Sequence, residues 1–179
     1  MCGIEYLRQI TYNAGKALKI NGCSGGNGML TCTFAGHTEV FAAIRGRLSE
    51  TIDNSLIGTD EAIFYVGGRG EFDAMAANAV CEAKHRHKEK DIRLYLVEPY
   101  MRTQINRDWK YNDHFYDGII IPEELLETHP KAAIIKRNRL MVDWSDLLIA
   151  FVYRDFGGAY QTLRYAMQKG KRIINLAEK

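Results

Sequence analysis

Three turns carry the residues whose types and spacing could do chemistry. The stretch YVGGRGEFDAMAANAV places Gly67, Gly68 and Gly70 around Arg69, with Glu71 and Asp73 directly after. The stretch YRDFGGAYQT places Gly157 and Gly158 just before Tyr160 and Thr162. FAGHTE contributes Gly36 and His37. Glycine lets a ligand come close to the main chain. A helix that starts directly after such a turn offers free N–H groups and a partial positive charge, which suit a phosphate. Arg69 could then contact an anion, Glu71 could accept hydrogen bonds from a ribose diol, and Tyr160 could stack on a base. Each also has a plainer role. Glycine pairs make tight turns, Glu71 and Asp73 compensate or cap a helix N-terminus, and Tyr160 can simply cover the sheet edge.

Arg137 and Asn138 lie in a helix that leads to an apolar strand at Leu147. They suit either a ligand contact or a structural network. His37 and Glu71 are weak candidates for acid–base work, because no paired catalytic group accompanies them. No catalytic residue is therefore assigned. The glycine spacing matches neither GxGxxG nor the GxxxxGK[ST] loop. His85 and His87 stand at i and i+2 and point apart on a helix, so no metal site is expected. No cofactor is expected either.

The elements that must position these turns alternate in type. MLTCTFAG, EAIFYV, DIRLYLVE, GIIIP, LLIAFVY and KRIINL read as strands. TEVFAAIRGRLSETID, EFDAMAANAVCEAKHRHKEK, HPKAAIIKRNRLMVDWSD and GGAYQTLRYAMQKG read as helices. Thr38 is the expected N-cap of the first, Pro130 falls in the first turn of the third and Gly170 closes the fourth. Such alternation implies parallel pairing with right-handed crossovers. Runs apolar throughout, such as AIFYV and LLIAFV, belong to strands covered on both faces. The expected fold is α/β, a Rossmann-like three-layer sandwich with a mostly parallel sheet. In such folds the three turns share the carboxyl edge, where ligands bind.

The 179 residues fit one domain with an appendage. Residues 1–28 read as that appendage and 29–179 as the main domain. Net charge is only +2, which gives no bulk electrostatic case for nucleic acid or a membrane surface. There is no apolar run of membrane-spanning length and no secretory pattern at the start. The four cysteines show no CxxC pair. A cytoplasmic location is expected.

Four motifs, TCTFAGHTE, FYVGGRGEFDAMA, IIKRNRLMVDWSDLLIAFV and GGAYQTLRYAMQKGKRIINL, occur in the order and spacing seen in the YpsA-like branch of the SLOG (Smf/DprA/LOG) superfamily. The chain resembles that branch from about Met29 to Leu176. The resemblance implies a Rossmann-like fold that binds nucleotides or nucleotide-derived ligands. LOG enzymes carry PGGxGTxxE. Aligned on the glycine pair, this chain has Gln161 at the threonine and Arg164 at the acidic position, which argues against LOG-type cleavage.

The leading expectation is thus a binding protein for a nucleotide or an NAD- or ADP-ribose-derived small molecule. It would sense the ligand or sequester it, as an anti-defence sponge would. The ligand contacts would come from Gly36, His37, Gly67, Gly68, Arg69, Gly70, Glu71, Asp73, Arg137, Asn138, Gly157, Gly158, Tyr160 and Thr162. The alternatives are a LOG-like nucleoside-monophosphate glycosidic hydrolase and a DprA-like single-stranded DNA-binding protein, with nucleic acid disfavoured by the near-neutral charge. The polar-aromatic segment 99–118 is too polar for core. Its aromatics and arginines suit closure over a base, single-strand stacking or an oligomer contact, and the last leads to an expected homo-oligomer.

Overall fold

Alternate residues of a strand face opposite sides of a sheet, so a strand apolar at every position must be covered twice. In the computed structural model, which describes residues 28–40, 43–100 and 115–177, two strands meet that demand in full. In β5 (Leu147–Phe151) every residue is buried, and in β2 (Glu61–Val66) all but the first are. Leu147, Ile149 and Phe151 of β5 join one core, while Leu148 and Ala150 join another on the opposite face. Ala62, Phe64 and Val66 of β2 likewise oppose Ile63 and Tyr65.

The remaining strands are β1 (Met29–Gly36), β3 (Asp91–Val97), β4 (Gly118–Ile120) and β6 (Arg172–Asn175). Together the six form one sheet in the order β4-β3-β2-β1-β5-β6. Every pairing is parallel, with Thr33 opposite Tyr65 on one side of β1 and opposite Leu148 on the other. The expected α/β sandwich is therefore present.

The helices are α1 (Ile44–Ser55), α2 (Glu71–Arg86), α3 (Pro130–Asp143) and α4 (Gly157–Gln168). α1 and α2 cover one face, α3 and α4 the other. α1 buries Ile44, Leu48 and Ile52, a spacing of four that keeps one stripe inward. α2 buries Ala76, Ala77, Ala79, Val80 and Ala83. Small side chains let its axis approach the sheet and α1 closely. Beyond the core, Asp53 of α1 takes Arg86 at 3.0 Å and His87 at 2.9 Å, pinning the far end of α2 to α1. The helix closed by Gly170 ends as expected. Gly170 has φ 64°, and the N–H of Lys171 reaches back to Ala166 at 3.0 Å.

One boundary differs. Thr38 does not cap α1, which begins at Ile44 with Ala43 at its N-cap and no side-chain cap. Residues 37–40 instead run along the sheet edge. His37 N–H donates to the carbonyl of Phe151 at 3.2 Å, and the N–H of Val40 is taken by Glu71 at 3.3 Å. The Val40 N–H, which a Thr38 cap would have taken, is thus bonded to Glu71 instead. Among the described residues no helix is long and apolar enough to cross a membrane.

Candidate functional site

The strand order reverses around β1. The chain steps outward from β1 to β4, then returns to place β5 and β6 on the other side. Ligands of open α/β sheets bind at such a switch point, here between the segments leaving the carboxyl ends of β1 and β5. The three sequence turns all leave that edge, as their strands require.

The two glycine turns are opposite in character. The first, Gly67–Gly70, is filled from within. A Cβ on Gly67 would stand 2.1 Å from an Arg137 guanidinium nitrogen, and one on Gly68 2.6 Å from Leu96. Gly70 has φ 92° and precedes α2, a backbone that a side chain would strain. Asp73, only 9% exposed, turns its carboxylate into the bend. It accepts the N–H of Arg69 at 2.9 Å and that of Gly67 as well. Burial pushes the Asp73 carboxyl up to about 6, despite those two bonds and the nearby Arg137 charge. The amides that looked ready for a ligand's phosphate are held by the chain's own carboxylate.

The second turn, Gly157–Gly158, is open. A Cβ at either glycine would meet nothing within 4 Å. α4 starts there without a side-chain cap, so its first N–H groups face outward. Around it stand exposed aromatic and basic groups. Phe156 is 64% exposed. The Arg154 guanidinium lies 5.0 Å from the ring centre of Tyr153 and pairs with Glu39 at 2.9 Å. Tyr153 meets His37 edge-on at 4.6 Å. On the far side of β1, Arg69 donates to the hydroxyl of Tyr100 at 3.2 Å. This is an edge furnished with arginines and rings, and α4 adds an uncapped positive end.

The other sequence candidates are mostly structural. Gly36 is glycine because the ring of Phe72 would lie 2.3 Å from its Cβ. Phe72 in turn stacks on Phe151 at 6.0 Å. His37 bridges the segments leaving β1 and β5, its Nε2 accepting the N–H of Arg154 at 3.1 Å. Partial burial and the Arg154 cation push its pKa down, in keeping with a neutral ring that accepts. Glu71 is engaged by Val40. Arg137 is 2% exposed and donates to the carbonyl of Val97 at 2.8 Å. Asn138 donates to Thr162 at 3.3 Å, and Thr162 to the carbonyl of Gly158 at 2.9 Å, joining α3 to α4. Tyr160 is half-buried, with Arg164 6.0 Å from its ring centre. Sequence reasoning passed over Tyr153, Arg154 and Phe156. Their signal was present in YRDF, an aromatic-basic run directly after a fully buried strand, but the glycine pair beside it drew the argument. Residues 1–27 and 101–114, with most of the appendage and of the polar-aromatic segment, lie outside the described residues.

No family model matches the chain, and no curated protein does. Solved structures do match its fold. DNA processing protein A from Helicobacter pylori, studied for its single-stranded DNA binding mode, shares 18% identity at a TM-score of 0.55. The match covers 80% of this chain and 63% of that one. DNA processing protein A (DprA) from Streptococcus pneumoniae shares 15% at a TM-score of 0.58, over 81% of this chain and 49% of that one. The chain thus spans between about half and two thirds of those proteins. The class is a Rossmann-like α/β fold of the DprA kind. At this level of identity the likeness is one of fold alone.

The likeness corrects two expectations. The reading as a binder of a nucleotide-derived small molecule gives way, as does the disfavouring of nucleic acid, because the matching folds are those of DNA-processing proteins. The physical reasons lie in this chain. Net charge is a sum over the whole surface and says nothing of where the arginines stand. One of the two phosphate cradles is also closed by Asp73.

Proposed function

We propose that this chain binds single-stranded DNA along the carboxyl edge of its sheet. One observation carries the reading: the switch point presents Tyr153, Arg154 and exposed Phe156 directly before the uncapped start of α4. Single strands are held by aromatic faces that stack on bases and by cations that follow the backbone. Here Phe156 and Tyr153 offer the faces. Arg154, now paired with Glu39 and able to exchange that exposed carboxylate for a phosphate, and the first amides of α4 offer the donors. The helicobacter protein's studied single-stranded DNA binding supports the same reading by likeness of fold. Within the superfamily, the four ordered motifs favour the YpsA-like branch. A cytoplasmic location and a homo-oligomer are each compatible with DNA binding, which requires neither.

Fluorescence anisotropy with a labelled oligothymidylate tests this. Binding should weaken as salt rises, with a log–log slope of about −0.7 per phosphate contacted. A base stacked on an aromatic is worth about 1–3 kcal/mol, so Phe156→Ala should weaken binding about tenfold. Arg154→Ala should weaken it and make the salt slope shallower by about one contact. The proposal fails if the oligonucleotide does not bind at low salt, or if both variants bind as wild type does.

A further inference from the structure

Asp73 occupies the position that a bound anion would take in the Gly67–Gly70 bend. Its carboxylate is buried and accepts from Arg69 N–H at 2.9 Å and from Gly67 N–H. Beneath it Arg137, reaching across from α3, leaves no room for a side chain at position 67. The bend is therefore fixed from both sides. The half-buried side chain of Arg69 stands at its rim. That guanidinium is held against Tyr100, 5.9 Å from the ring centre, with its terminal nitrogen bonded to the hydroxyl at 3.2 Å. Its Nε is buried without a partner among the described residues.

We infer that Asp73 is a positioning residue for DNA. It acts as an internal anion that locks the Gly67–Gly70 bend, so that Arg69 and not the main chain meets the strand there. The inference rests on the single-stranded DNA reading. It also explains why the two glycine turns differ. The turn before α4 keeps its amides for a phosphate, whereas the turn before α2 uses its amides internally and presents a cation. Asp73 does not touch the nucleic acid. It acts through Arg69.

Amide hydrogen exchange and oligothymidylate binding together test this on the full chain. In Asp73→Ala the amides of Gly67 and Arg69 should exchange faster while those of β2, such as Phe64, keep their protection. Binding should weaken several-fold, as in Arg69→Ala. The double variant should bind no worse than either single one, because both remove the same contact. Asp73→Asn keeps one acceptor oxygen. It should retain protection at Gly67 and Arg69 above that of Asp73→Ala and restore most of the binding. If Asp73→Ala does not fold, Asp73→Asn decides alone: protection and binding should move together, and binding lost with both amides still protected, or protection lost with binding unchanged, overturns the inference. So does unchanged exchange in Asp73→Ala, or a double variant that loses the sum of the single losses. Failure of the wild type to bind oligothymidylate would remove the DNA reading, while the exchange data would still report on the lock.

Discussion

Gly67→Ala should destabilise the fold by about 3 kcal/mol or more. The new Cβ would stand 2.1 Å from one guanidinium nitrogen of Arg137, 2.7 Å from its Cζ and 2.9 Å from the other nitrogen. Ordinarily the end of a long side chain swings aside at little cost. Arg137 is 2% exposed and bonded to the carbonyl of Val97, so its cation has no route to water. Displacing it strains a buried charge and breaks its bond to the Val97 carbonyl, and disrupting buried charged arrangements costs about 3–5 kcal/mol. For a domain of this size, about 3 kcal/mol corresponds to a fall in Tm of roughly 6–12 °C. Thermal unfolding followed by calorimetry measures it.

Gly158→Ala supplies the contrast. Nothing lies within 4 Å of a Cβ there, and the residue sits in the first turn of α4 with no left-handed φ. Alanine should leave stability unchanged or raise it by up to about 1 kcal/mol. Equal melting of the two variants would remove the close approach of Arg137 to Gly67.

The contrast also shows what the sequence could and could not convey. The architecture was legible because apolar runs such as AIFYV and LLIAF permit few other placements. Period and length decide between strand and helix. The start of α1 was not legible, since Thr38 is a good N-cap in isolation. Its neighbours are claimed by Phe151 and Glu71, more than 30 residues away in the chain. The two glycine pairs looked equivalent because a one-dimensional pattern does not say which way a carboxylate turns. Asp73 facing outward would have left the bend ready for a phosphate, and Asp73 facing inward closes it. The pairing of Asn138 with Thr162 was hidden for the same reason. The arginines and aromatics of the edge were visible one by one. Their gathering at the switch point depends on the return of the chain past β1, which no local signal encodes.

Raising the pH through about 6 should weaken the fold through Asp73. Its carboxyl is moved from 3.8 up to about 6, first because burial penalises the ion, against the lowering effects of Arg69, Arg137 and Gly67. The folded protein therefore holds this proton more tightly than the unfolded chain does. Its contribution to stability is complete below the unfolded value and is lost as pH rises through the folded one. At about 1.4 kcal/mol per unit, the loss is on the order of 3 kcal/mol by neutral pH. His37 works in the opposite direction. Partial burial and Arg154 lower its pKa, so the fold gains from it as pH rises through the ordinary histidine range. A raw stability curve would mix the two. The difference between wild type and Asp73→Asn isolates the carboxylate, because His37 is common to both. Denaturant unfolding from about pH 4 to pH 8 should show Asp73→Asn gaining on wild type as the pH rises, with most of the change between about pH 4 and pH 6 and little above. A difference that stays flat would mean that Asp73 is not buried as an ion. If Asp73→Asn also binds DNA nearly as well as wild type, the charge itself is dispensable. What the bend needs from position 73 is then an acceptor, while the negative charge lowers stability at neutral pH.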